Sequence, residues 1–108
     1  MRYAELARQY ISDNYARKLS VDDVAANVGI SAGYLQLIFK RHFGMSVTEY
    51  INYNKIQLAK QYVQGRALSL KDISFQLGID DPSYMSRMFK KIAGISFREY
   101  CKTHEFGS

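Results

Sequence analysis

The chain has 108 residues, 47% hydrophobic and 14% aromatic, which excludes a disordered segment and allows one compact domain or two very small units. Its net charge of +5 suits a polyanionic partner, and its single cysteine, Cys101, excludes an internal disulfide. No apolar run approaches the ~20 residues needed to span a membrane, and the opening MRYAELARQY lacks the apolar stretch of a signal peptide, so a reducing, cytoplasmic setting without a membrane partner is expected.

The first helix is expected near 2–17, with Tyr3, Ala7, Tyr10 and Ile11 facing inward. Ser20-x-x-Asp23 resembles a capping box and opens a short helix over 21–28, which Gly29 stops. A turn leads to a helix over 32–43, closed by Gly44. Ser46-x-x-Glu49 is a full capping box. The helix it starts meets no breaker before Gly65, so it extends over about 18 residues, or about 27 Å at 1.5 Å per residue. Ser69-x-x-Asp72 then opens a helix over 70–77, stopped by Gly78. Asp81 followed by Pro82 is an N-cap and first-turn pair that begins a helix over 82–93, closed by Gly94. Ser96-x-x-Glu99 caps the last helix. Strand-like alternation never exceeds four residues, ALSL at 67–70 being the best run. The fold class is all-α, with about seven helices.

The chain contains one pattern twice. LSVDDVAANVGI (19–30) over LSLKDISFQLGI (68–79) matches at five of twelve positions. With one extra residue, Asp80, the second copy continues in register, and SAGYLQLIFKRHFGMSVTEYI (31–51) over DPSYMSRMFKKIAGISFREYC (81–101) matches at seven of twenty-one. Shared glycines and capping residues make this an internal repeat. The basic excess lies mostly in the second half: residues 1–54 carry net +1 and residues 55–108 net +4.

A short helix, a glycine turn and a longer helix with one apolar stripe is the helix-turn-helix pattern. In the second copy Met85, Met88, Phe89 and Ile92 form the apolar stripe; Ser83, Ser86, Arg87 and Lys90 fall on the opposite face. In the first copy Leu35, Ile38, Phe39 and His42 oppose Gly33, Gln36, Leu37 and Lys40. A major groove about 12 Å wide admits one helix that turns short polar or cationic side chains outward. Arg87 has the donors for guanine O6 and N7, Gln36 those for adenine, and Leu37 can touch a thymine methyl; Gly33 leaves room for close approach. Lys40, Arg41, Lys90 and Lys91 are helix C-terminal cations and candidate phosphate contacts. With a rigid joining helix, two such units could enter successive major-groove turns ~34 Å apart, so that a monomer reads a non-palindromic site in double-stranded DNA.

From LSVDDVAANVGIS onward, and above all in LGIDDPSYMSRMFKKIAGISFREY, the chain resembles the DNA-binding domain of the AraC/XylS family of bacterial transcriptional regulators over residues 5 to about 102. The resemblance implies a seven-helix domain of two helix-turn-helix units joined by a long helix, binding promoter DNA and usually activating transcription. It places the base-reading positions on Gly33, Gln36 and Leu37, and on Pro82, Ser83, Tyr84 and Arg87. On it, residues 1–108 form one such domain, with a first unit at about 2–46, a linking helix at about 47–64 and a second unit at about 66–105. This chain departs from the family pattern at Leu37, Ile79, Phe97, Lys55 and Cys101. The opening ELARQYISDNYARKLSVDDVAANVGIS is similar to the output domain of response regulators, which implies a fused sensor or receiver domain outside this chain.

Other readings bound this one. Tyr34 and Tyr84 flank the outward stripes and suit packing as well as base contact; Tyr10, Tyr50, Tyr62 and Tyr100 are expected at the core or its edge. His42 is expected to pack, being on the apolar stripe. No His, Cys and Asp grouping has metal-ligand spacing, Cys101 has no base partner in the sequence, and no cofactor or enzymatic activity is expected. The competing class is a helical module whose faces dock RNA polymerase or a sensor domain.

Overall fold

A computed structural model describes residues 2–65 and 69–107, with the side chains of 2–63 and 69–103. The helices are α1 (Arg2–Asn14), α2 (Val21–Val28), α3 (Ala32–Phe43), α4 (Val47–Gly65), α5 (Leu70–Gln76), α6 (Pro82–Ala93) and α7 (Phe97–Gly107), with no strand among the described residues. They build two compact units, Met1–Asn54 and Lys55–Ser108. The division falls inside α4, beyond Asn54. The residue of ALSL that can be placed before its helix is Ser69, a cap; Ala67 and Leu68 lie outside the described residues.

The ends of these helices are chemically marked. In α2 the Ser20 hydroxyl accepts from Asp23 N at 3.1 Å, while the Asp23 carboxylate accepts from Ser20 N at 3.0 Å. These hydrogen bonds hold the Asp23 carboxyl below its usual range. Ser69 and Asp72 repeat the arrangement in α5 at 3.1 and 3.4 Å. Ser46 and Glu49 do so in α4, and Ser96 and Glu99 in α7. Each cap satisfies amide donors that the first helical turn leaves unpaired, worth typically ~1 kcal/mol. Gly44 and Gly94 close α3 and α6 at φ +77° and +87°, the left-handed region where a β-carbon is strained.

In the first unit Ala7 and Ile11 of α1, Val24 and Ala25 of α2, Leu35 and Phe39 of α3, and Val47 and Ile51 of α4 form the core. Fully burying a Leu, Ile or Phe contributes roughly 1.5–3 kcal/mol. Two expectations about α1 need correction. The helix ends at Asn14, whose carbonyl accepts from Arg17 N in the turn that follows. Tyr3 is 42% exposed; Ala4 is fully buried in its place, so small residues bring α1 close to its neighbours. Tyr10 and Tyr50 sit at the core edge.

In the second unit the core is Ile56 and Ala59 of α4, Ile73 and Leu77 at α5, Met85, Met88 and Phe89 of α6, and Tyr100 of α7. Phe89 is edge-on to Phe97 and Tyr100, with ring centroids 5.4 and 5.5 Å away. Two polar residues are buried in this unit, Ser74, whose hydroxyl donates to the Leu70 carbonyl at 2.8 Å, and Lys55. Lys55, 4% exposed, donates from Nζ to the Leu77 carbonyl at the end of α5. Burial lowers its pKa to about 8. A lysine on a helix face reads from sequence as a solvated side chain; here it braces the turn between α5 and α6.

Candidate nucleic-acid interface

The face of α6 opposite its core stripe is set by how the helix starts and what it buries. Asp81 Oδ1 accepts from Ser83 N at 2.9 Å, and Pro82 supplies the preset first helical turn. Met85, Met88 and Phe89 turn inward, leaving Ser83, Tyr84, Arg87, Lys90 and Lys91 exposed and Ser86 and Pro82 half-buried. Ser86, Arg87, Lys90, Lys91 and Ser96 line an open hollow of about 390 Å³. Among the described residues no carboxylate pairs with Arg87, Lys90 or Lys91. Three unneutralised cations around a shallow concavity create a local positive potential suited to an oxyanion such as phosphate.

The matching face of α3 has different chemistry on the same frame. The Ser31 hydroxyl accepts from Tyr34 N at 3.2 Å, and Leu35, Ile38 and Phe39 are buried. Gly33, Tyr34, Gln36, Leu37, Lys40 and Arg41 are exposed, Leu37 to 53%. A β-carbon built at Gly33 meets nothing within 4 Å, so the fold does not require glycine there and the space in front of it is open. Lys40 lies 3.9 Å from Glu49, both more than half exposed, a contact worth at most ~1 kcal/mol that leaves the cation available.

His42 departs from its expected packing role. It is an exposed side chain at the end of α3, edge-on to Phe43, with Nε2 3.0 Å from Glu5 Oε1 of α1. The hydrogen bond to His42 holds the Glu5 carboxyl below its usual range, aided by Arg8. The helical spacing is right, but its seventh position falls beyond the end of the core, where α1 and α3 meet solvent. Among the described residues no group of three His, Cys, Asp or Glu side chains could hold a metal ion, and no helix is long and apolar enough to cross a membrane.

Residues 24–103, from within α2 into α7, match the helix-turn-helix domain family. The chain belongs to the AraC-type helix-turn-helix family. It is 36% identical over 94 residues to the lactose operon transcription activator of Staphylococcus xylosus, covering 87% of this chain and 34% of that protein. The C-terminal domain of AraT, a response regulator from Geobacillus stearothermophilus, superimposes with a TM-score of 0.88 at 27% identity, over 95% of this chain and 86% of that one. The C-terminal domain of the two-component response regulator yesN from Fusobacterium nucleatum gives 0.84 at 25% identity, over 94% and 99%. The DNA-binding domain of AdpA, solved with a target DNA, shares the fold with a TM-score of 0.81 at 16% identity, over 95% and 92%. The chain spans about a third of the length of the curated relatives it matches, 34% of the S. xylosus activator.

Within the AraC-type frame, the sequence reading located the outward residues of both longer helices but missed Ser96. This α7 cap shares the hollow with Ser86, Arg87 and the two lysines, while its hydroxyl accepts from Glu99 N at 3.1 Å. The signal was present in the Ser96-x-x-Glu99 box two residues after Gly94. In the sequence that box marks only a helix start, whereas in the fold the glycine turn returns the chain beside the helix it has just left.

Proposed function

We propose that this AraC-type domain binds double-stranded DNA sequence-specifically and regulates transcription, as an activator, in the cytoplasm. Gly33, Gln36 and Leu37 of α3, and Ser83, Tyr84, Ser86 and Arg87 of α6, face base edges. Lys40, Arg41, Lys90 and Lys91 hold phosphates. Each of the two helices reads a major-groove segment of the same duplex, so the site is asymmetric. Support comes chiefly from the open hollow of Ser86, Arg87, Lys90, Lys91 and Ser96, with its three cations lacking a described carboxylate partner.

The test is selection from randomised duplexes, followed by binding titrations on the selected site. Arg87→Ala is expected to weaken binding by ~1–3 kcal/mol and to relax preference at one base pair. Lys90→Ala is expected to weaken all sequences alike and reduce the salt slope by about one. Unchanged affinity and preference after Arg87→Ala would remove the assignment of this face. Footprinting checks the two-helix reading, which requires two protected segments about one helical turn apart.

The likeness to response-regulator C-terminal domains supports a fused receiver or sensor domain as the source of control. A protein-facing role, with RNA polymerase as partner, has support in Phe75 of α5, which is 82% exposed. Salt-insensitive capture of the polymerase, lost in Phe75→Ala, is the outcome that role requires.

A further inference from the structure

Of the seven large hydrophobic side chains exposed among the described residues, Tyr34, Leu37 and Tyr84 lie on α3 and α6. The internal repeat pairs Tyr34 with Tyr84, so the tyrosines belong to the shared frame. It pairs Leu37 with Arg87, Gln36 with Ser86 and Gly33 with Ser83. One register position thus carries an exposed aliphatic side chain on α3 and an exposed guanidinium on α6.

We infer that Leu37 is a specificity-determining residue that reads a thymine through its 5-methyl group, so that the bound site is composite: a thymine under α3 and a guanine under α6 at equivalent places. The inference rests on the DNA-binding reading above and names what the first helix recognises. Four observations carry it. Leu37 is 53% exposed on the face opposite buried Leu35, Ile38 and Phe39, so its isobutyl group serves neither core. Tyr34, one turn earlier on the same helix, is 45% exposed and extends the apolar surface. Gly33 carries no side chain and has open space in front of it, which permits the backbone of α3 close to a base edge. Finally, the half of the chain holding α3 carries net +1 against +4 for the other half, so recognition there depends less on charge. The major-groove edge of thymine offers the one methyl group among the four bases, and an aliphatic side chain is its complement.

The experiment uses the 108-residue chain and the duplex selected from the randomised library, resynthesised with deoxyuridine at each thymine in turn. Wild-type protein is expected to lose roughly three- to tenfold in affinity at one thymine, the worth of about one buried methyl group. Leu37→Ala should bind the thymine duplex more weakly and show no further loss with uracil there. Arg87→Ala should keep the methyl sensitivity. Leu37→Arg, put through a fresh selection, should exchange thymine for guanine at that position. Uracil that is silent at every position overturns the inference and leaves DNA binding standing, as does Leu37→Ala remaining as methyl-sensitive as wild type. Failure to enrich any duplex overturns both readings.

Discussion

Replacing Phe89 with alanine is expected to lower folding stability by ~3–5 kcal/mol, the largest effect of any single truncation on the second unit. Phe89 is fully buried and holds α6 to α7 through its edge-on contacts with Phe97 and Tyr100. Alanine removes the ring's burial, both aromatic contacts and the matter that fills the space, and leaves a cavity that the surrounding core fills only in part. A unit of this size holds little stability in reserve, because small domains bury a small share of their surface. Urea unfolding followed by circular dichroism is expected to show the second-unit helices lost at room temperature, and with them the outward face carrying Arg87. Leu37→Ala is the control. Its side chain is 53% exposed and outside both cores, so it should change stability by less than ~0.5 kcal/mol. A Phe89→Ala protein as stable as Leu37→Ala would mean that the apolar stripe of α6 is not its inner face.

The second large effect concerns Lys55 and runs opposite to the usual alkaline loss of stability. Its pKa falls from 10.5 to about 8 on folding, because burial disfavours the charged ammonium. The unfolded chain therefore binds more protons than the folded one between about pH 8 and 10.5. Unfolding free energy then rises with pH through this window, by up to ~1.4 kcal/mol per pH unit, and is flat below it with respect to this group. Lys55→Met keeps most of the side-chain volume and lacks the titration. The stability of wild type minus that of Lys55→Met should rise by about 2–3 kcal/mol between pH 7 and 10, the other titrating groups cancelling in the comparison. Denaturant melts of both proteins at unit pH intervals measure it, and a flat difference would mean that the ammonium is solvated. At pH 7 the same substitution leaves the Leu77 carbonyl without the Lys55 donor, so the turn between α5 and α6 should exchange its amide hydrogens faster.

The limits of α3 and α6 were legible to the residue, at 32–43 and 82–93, because both ends of each carry a chemical mark: Ser31 or Asp81 before, Gly44 or Gly94 after. The end of α1 was not, since no glycine follows it, and Asn14 reads equally well as helix or turn. The inward face of α1 was misjudged at Tyr3 because periodicity weights large residues, whereas Ala4 and Ala7 make the close approach. The outward stripes could be read because each is the geometric complement of an apolar one. Lys55 could not: nothing in INYNKIQLA distinguishes a lysine that brackets a turn from one that meets water. The hollow closed by Ser96 likewise depends on two segments returning to one place.

The side chains of Gln36, Leu37, Ser83 and Arg87 stand outside both cores, and of these residues only Ser83 joins a described cap, through its backbone amide. Folding therefore places almost no constraint on what these positions contain. On the proposed reading of these positions, a lineage carrying this scaffold can change its preferred promoter one letter at a time, with the ancestral and altered proteins equally durable at each step.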